Sequence, residues 1–109
     1  MPWLVNDGRV VASLEIADSR RGRRVGLLGR DGIDGALLLT PARSVHTIRM
    51  RFAIDVVHLD HDLVVLSVVT MKPGRIGRWR RGCHSIIETE AGCVRAWDIH
   101  AGAQLEIRS

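Results

Sequence analysis

The segment Val45–Leu59, with the sequence VHTIRMRFAIDVVHL, decides the predicted fold of this chain. Side chains of a β-strand point alternately to its two faces, so residues of equal parity share a face. One face carries an apolar stripe with a histidine at each end: His46, Ile48, Met50, Phe52, Ile54, Val56 and His58. The segment therefore predicts one long strand, and we expect it to bend at Phe52–Ala53.

The opposite face of this predicted strand changes from polar to apolar along the chain. It carries Thr47, Arg49, Arg51, Ala53, Asp55, Val57 and Leu59. A carboxylate such as Asp55, in a stretch otherwise heading for the core, needs a partner to stay charged. Arg51 is about 13 Å away along the strand, so we predict an ion pair between Arg30 and Asp55. A ligand-binding or catalytic role of Asp55 is the alternative.

Strand patterns also dominate the rest of the chain. Further strands are predicted at Arg9–Ala17, Ala36–Thr40, Leu63–Met71, His84–Thr89 and Gln104–Arg108, and short helices at Arg20–Leu28 and Glu90–Trp97. Because Leu63–Met71 is apolar on both faces, it is predicted to be a central strand. Strands that do not alternate with crossover helices favour the all-β class. We expect a mainly β fold, a compact β-sandwich or partly open barrel of about seven strands with two short helices.

Length and composition bound the class of protein. A chain of 109 residues, 46% of them hydrophobic, is the size of one domain, which we assign to residues 1–109. No apolar run approaches the roughly 18 residues that a membrane span requires. The N-terminal residues lack the features of an export signal. We therefore expect a cytoplasmic protein without a membrane anchor.

The charge of +4 is concentrated in one stretch, Lys72–Cys83, which contains five cations and no acid. Its guanidinium groups, with Trp79 among them, suit an anionic ligand. The residues that we expect to bind such a ligand are His46, Arg49, Arg51, Asp55, Lys72, Arg75, Arg78 and Trp79. A solvated loop whose tryptophan covers the barrel end is the plainer interpretation.

These features favour a non-catalytic binding or accessory module whose basic rim holds an anionic small molecule, a glycan or a protein segment. One alternative is a small enzyme with Asp55 as general acid or base and His46 nearby. Another is nucleic-acid binding through the Lys72–Arg81 loop. No nucleophile motif, phosphate-binding loop or dinucleotide fingerprint occurs, so we expect no cofactor. Residues 58–62, with the sequence HLDHD, could suggest a metal site, but they also fit a tight turn, and we predict no metal.

Several strings in the chain resemble the prokaryotic domain-of-unknown-function family 192. They are Gly26–Arg30 (GLLGR), His46–Asp60 (HTIRMRFAIDVVHLD), Lys72–Arg75 (KPGR), Ile86–Gly92 (IIETEAG) and the ending Ile99–Ile107. The resemblance covers about residues 20–107 and departs from the usual family pattern at Ala53, His58 and Thr89–Glu90. It implies a compact β-sandwich or barrel with one or two small helices. It implies no catalytic residue, because no activity is assigned to the family.

Overall fold

The computed structural model describes every residue from Met1 to Ser109. Seven strands and two short helices follow one another along the chain. They are β1 (Trp3–Asn6), β2 (Arg9–Ala17), α1 (Arg20–Val25), β3 (Ala36–Leu39), β4 (Ile54–Leu59), β5 (Val65–Met71), β6 (Ser85–Glu90), α2 (Cys93–Ala96) and β7 (Leu105–Arg108). The predicted mainly β class, with about seven strands and two short helices, is confirmed. No helix has both the length and the apolar character that crossing a bilayer demands.

All seven strands belong to one curled sheet with the order β5-β4-β6-β3-β2-β1-β7. The β2–β3 pair is parallel and every other pair is antiparallel. An isolated bridge between Val64 and Gln104 brings the start of β5 to the start of β7. Because β5 and β7 are the two ends of the strand order, this contact rolls the sheet into a half-barrel.

The curled sheet has an inner and an outer apolar face. The inner cluster draws on all seven strands and α2: Leu4, Leu14, Ala36, Leu38, Val57, Leu59, Val65, Ile87, Val94, Ile99 and Leu105. The outer cluster packs under the segments that connect the strands: Leu27, Ile33, Leu37, Leu39, Met50, Ile54, Val56, Met71, Cys83 and Ile86. β4 lies between the two clusters and is buried along its whole length.

The long strand predicted for Val45–Leu59 is wrong in its first half. Regular pairing begins only at Ile54, immediately after the predicted bend. Before it, His46 makes a single bridge to Ile76, and a turn follows with Arg49 at φ 67°. The parity pattern fails here because the Thr47 backbone and side chain bond to the Lys72–Arg75 segment instead of to a neighbouring strand.

Other predicted boundaries also change. β5 pairs only with β4 and is an edge strand, so its position at the centre of the sheet was a wrong prediction. The strand β1 was not predicted. It is followed by the two-residue turn Asp7–Gly8, with φ of 53° and 74°, which is a common hairpin connection. The helix α1 ends at Val25 instead of Leu28, and α2 is confined to Cys93–Ala96.

Candidate functional site

Asp55 points to the inner face of the sheet and holds the start of α2. It is only 3% exposed, and its Oδ1 accepts a hydrogen bond of 2.6 Å from the Thr70 hydroxyl. Its Oδ2 accepts bonds of 2.9 and 3.3 Å from the backbone N–H groups of Gly92 and Val94. Three donors from β5 and the α2 segment therefore satisfy this carboxylate.

The predicted ion pair between Arg30 and Asp55 is not formed. Arg30 instead binds Glu15, with Nη1 at 2.8 Å from Oε2 and Nη2 at 3.1 Å from Oε1. The reason is geometric. Arg30 comes directly after the segment that covers the outer face of the sheet. Asp55 shares the face of Val57 and points inward.

The structure does not bring His46 to the same cavity as Asp55, which the enzyme alternative expected. His46 lines a cavity on the outer face, and Asp55 lines a different cavity of about 410 Å³ on the α2 side. His100 is the histidine that borders the Asp55 cavity, which also includes Arg95. None of these side chains is among the three hydrogen-bond partners of Asp55, so the carboxylate is bound by structural donors alone.

Four of the five cations of the Lys72–Arg81 loop surround a cavity of about 470 Å³, which we call the loop pocket. Its lining consists of His58, Val69, Thr70, Met71, Lys72, Arg75, Ile76, Gly77, Arg78 and Arg80. No acidic side chain is present in this lining. The structure thus brings together Lys72, Arg75 and Arg78, as the sequence predicted, and adds Arg80.

The beginning of the loop is fixed to the chain segment before β4. Thr47, which is fully buried, donates its hydroxyl to the Lys72 carbonyl at 2.6 Å and accepts from the Arg75 N–H at 2.8 Å. Backbone bonds join Thr47 to Arg75 and Gly74, and Val45 to Gly77. One wall of the loop pocket is therefore held by a network of hydrogen bonds.

His58 is a nearly buried polar group in the lining of the loop pocket. It is 4% exposed, its Nδ1 lies 2.9 Å from the Ser67 hydroxyl, and its Nε2 has no hydrogen-bond partner. Burial, with a smaller contribution from the Arg80 guanidinium, lowers the pKa of His58. The lowered pKa favours the neutral imidazole, in which Nε2 is without a partner.

Three other predicted ligand-binding residues lie outside this pocket. Arg51 forms an exposed ion pair with Asp31 at 3.1 Å, and Arg49 occupies the exposed turn before β4. Trp79 is 58% exposed, with the Arg43 guanidinium 5.9 Å from its ring centroid. More than half of the Trp79 surface is therefore open to solvent.

A second cavity, of about 400 Å³, lies beside α1 on the outer face, and we call it the α1 pocket. Its lining consists of Arg20, Arg23, Arg24, Val25, Gly26, Leu27, Leu28, Leu39, Pro41, Ala42, Ser44, Val45, His46, Met50 and Glu88. Glu88 is 4% exposed, and its Oε1 has no hydrogen-bond partner. Burial raises the pKa of Glu88 to about 7.

Glu88 was missed at the level of the sequence. It pairs with Val56 on β4 and Leu37 on β3, and it shares the outer face with the preceding same-parity residue Ile86. An acid at a core-facing parity position in the run Ser85–Glu90 is the signal that could have found it.

Of the histidines and acids of residues 58–62, His58 belongs to β4, and Asp60, His61 and Asp62 lie in the turn after it. Asp60 Oδ1 accepts bonds of 2.9 Å from the N–H groups of Asp62 and Val64, as expected for turn chemistry. His61 stacks on His84 with ring centroids 3.9 Å apart. No group of three or more His, Cys, Asp or Glu side chains is placed to hold a metal ion.

Comparison with known structures identifies the same fold in two proteins. A protein of unknown function from Novosphingobium aromaticivorans superposes with a TM-score of 0.82 at 16% identity, over 96% of this chain and 82% of that chain. A protein from Sinorhizobium meliloti, described as a "putative transcription regulator", superposes with a TM-score of 0.72 at 16% identity, over 96% and 90% of the two chains.

Sequence comparison identifies relatives without an assigned role. A UPF0127 protein of Pyrococcus abyssi is 25% identical over 97% of this chain and 97% of its own length. A UPF0127 protein of Pyrococcus furiosus is 35% identical over 58% of this chain and 54% of its own length. The model of domain-of-unknown-function family 192 (DUF192, "Uncharacterized ACR") matches residues 3–107. The chain belongs to the DUF192 family.

Proposed function

We propose that this protein is a non-catalytic binding module that holds a small anionic molecule in the loop pocket. The observation that carries this proposal is the absence of any acidic partner for the cations of the Lys72–Arg81 loop. The three ion pairs of the structure use Arg30, Arg51 and Arg108. The loop cations are therefore available to an anion from solution.

The loop pocket offers more than positive charge. Its volume of about 470 Å³ lies within the usual range for small-molecule sites, roughly 300–1,000 Å³. Arginine presents a planar fork that suits bidentate contacts to phosphate or carboxylate. His58, whose buried Nε2 has no hydrogen-bond partner, lines the same cavity. A phosphorylated or carboxylated small molecule matches this combination.

The proposed compartment is the cytoplasm. Both cysteines, Cys83 and Cys93, are free thiols. Reducing compartments keep thiols free, whereas exported proteins more often carry disulfides.

The first experiment compares anions of different class by calorimetry at low and high salt. ATP, a heparin tetrasaccharide and a short polyglutamate peptide represent the small molecule, the glycan and the protein segment. We expect ATP to bind more tightly than the other two and to weaken at high salt, since exposed charges are screened. Tighter binding of the tetrasaccharide or the peptide would reassign the partner, and no binding of any probe would contradict the proposal.

A pair of charge-matched variants locates the binding. Arg75→Ala/Arg78→Ala removes two cations from the loop pocket, and we expect it to weaken ATP binding at least roughly tenfold. Arg9→Ala/Arg21→Ala removes the same charge outside either pocket lining and should change the affinity little. Equal losses in both double variants would indicate a general charge effect and not a site.

One observation favours nucleic-acid binding as a second candidate. The exposed indole of Trp79 lies in a loop with Arg78, Arg80 and Arg81, a combination that can stack a base and hold its phosphate. The name of the Sinorhizobium meliloti protein fits such a role for that protein. Anisotropy of a labelled oligothymidine tests the idea. Trp79→Ala should weaken binding, whereas Trp3→Ala, at the partly exposed tryptophan of β1, should not. Equal effects of the two variants would reject stacking on Trp79.

A further inference from the structure

Glu88 is one of three buried side chains, with His58 and Ser85, that leave a polar atom without a hydrogen-bond partner. It lies on β6 within the outer apolar face, 4% exposed, and its Oε1 has no partner among the protein groups. Buried polar atoms are almost always hydrogen-bonded, because leaving one unpaired in an apolar environment is costly. An unpaired carboxyl in the lining of an open cavity therefore points to a partner supplied from outside the chain.

Gly26, which also lines the α1 pocket, lies close to this carboxyl. Gly26 ends α1 with φ 50°, and a Cβ built on it would lie 3.2 Å from Glu88 Oε1. A larger residue at this position would therefore crowd the carboxyl. Several larger apolar side chains belong to the same lining: Val25, Leu27, Leu28, Leu39, Val45 and Met50.

The same lining contains three arginines. Arg23 Nη1 donates to the Asp18 carbonyl at 2.7 Å, which holds that guanidinium beside the start of α1. Arg20 and Arg24 are exposed and belong to none of the three ion pairs. The pocket thus combines positive charge, aliphatic walls and one unpaired carboxyl.

We propose that the α1 pocket binds a small aliphatic anion that carries a hydroxyl or amide group at the end opposite its charge. The anionic end contacts Arg20 and Arg24, the aliphatic body packs on the leucine walls, and the inner polar group hydrogen-bonds to Glu88. A cationic ligand would be repelled by the arginines. A purely apolar ligand would leave the carboxyl unpaired.

Three matched probes test this arrangement by backbone amide NMR. The probes are ω-hydroxyhexanoate, hexanoate, which lacks the inner hydroxyl, and hexanol, which lacks the anionic group. We expect ω-hydroxyhexanoate to shift the signals of Gly26, Leu27 and Glu88 and to bind roughly tenfold more tightly than either of the others. Equal affinity of ω-hydroxyhexanoate and hexanoate would overturn the role of Glu88. The absence of saturable shifts at Gly26 and Leu27 would overturn the site.

Two variants separate the two ends of the ligand. Glu88→Leu keeps the apolar packing, and we expect it to abolish the preference for ω-hydroxyhexanoate over hexanoate. Arg24→Ala should weaken both anions, whereas its neighbour-matched control Arg21→Ala should weaken neither. A preference that survives in Glu88→Leu contradicts the proposal. Shifts that map to Arg75–Arg81 instead would assign the probes to the loop pocket and overturn the α1 site.

Discussion

Two buried carboxyl groups on neighbouring strands, Asp55 on β4 and Glu88 on β6, have opposite surroundings. They are 3% and 4% exposed. Asp55 points to the inner face and accepts three hydrogen bonds, whereas Glu88 points to the outer face with an oxygen that accepts none. Burial of an acid is therefore insufficient to mark a site. The state of its hydrogen bonds distinguishes a carboxylate with a structural role from one whose hydrogen-bonding capacity is unused.

The largest expected effect that tests this contrast is the loss of Asp55. Asp55→Ala leaves the Thr70 hydroxyl and the N–H groups of Gly92 and Val94 without their acceptor, which should lower the free energy of unfolding by about 4 kcal/mol. Urea unfolding measures the change, with the exposed acid variant Asp34→Ala as control. A loss below about 1 kcal/mol would mean that Asp55 does not secure α2 to the sheet.

The next effect is the contribution of Glu88 to the pH dependence of the free energy of unfolding. The folded pKa of about 7 lies above the ordinary 4.5, so the folded state binds the proton more tightly. The free energy of unfolding should therefore fall by about 3 kcal/mol as pH rises through this window, and should stay level above it.

Glu88→Gln removes this titration. Urea unfolding of the unchanged protein and of Glu88→Gln between pH 4.5 and 8 gives two free energies of unfolding at each pH. Their difference is the contribution of Glu88. The low pKa of His58 has the opposite sign, since its stabilisation is lost as pH falls below 6.5, but it is common to both proteins. A constant difference across the range would show that Glu88 is solvated like a surface acid. The arginines and His46 that line its cavity would then be the groups to examine.

The smallest expected effect concerns Arg30, which was predicted to pair with Asp55 and pairs with Glu15 in the structure. Arg30 and Glu15 are both partly exposed, with 39% and 51% of their side chains accessible. Exposed pairs contribute little, so Arg30→Ala should cost less than about 1 kcal/mol, measured by urea unfolding beside Asp55→Ala. A loss as large as that of Asp55→Ala would indicate that Arg30 does support the buried carboxylate in solution.

The sequence predicted the strand content well because alternation and turn residues are local signals. β2 has its predicted limits, Arg9–Ala17, and β4 begins at the residue after the predicted bend. The segment before β4 was mispredicted because its parity also fits a strand, while its actual partners lie in the Lys72–Gly77 loop, far along the chain. Local patterns do not encode such distant hydrogen bonds.

The sequence predicted the positive charge of the candidate site but not the cavities that the folded chain forms. The cluster of Lys72, Arg75 and Arg78 follows from a short stretch of sequence, and the structure places these residues around one pocket. Glu88 requires the sheet register, which sets it opposite Val56 and Leu37, and the end of α1 at Gly26. Neither is visible before the strands are aligned.

Hydrogen bonds to the segment before β4, among them those of the buried Thr47 hydroxyl, hold the first part of the Lys72–Arg81 loop but not the second. The two parts therefore differ in conformational entropy. Lys72–Gly77 is tied to Val45 and Thr47 by several backbone and side-chain bonds, whereas the stretch Arg78–Gly82 has one backbone bond, from Cys83 N–H to the Arg80 carbonyl. Ordering a mobile segment subtracts from the free energy of association, but a preorganised one adds no such cost. The backbone of Lys72 and Arg75 is thus held by hydrogen bonds before any anion binds, whereas the backbone of Arg78 and Arg80 has fewer such bonds.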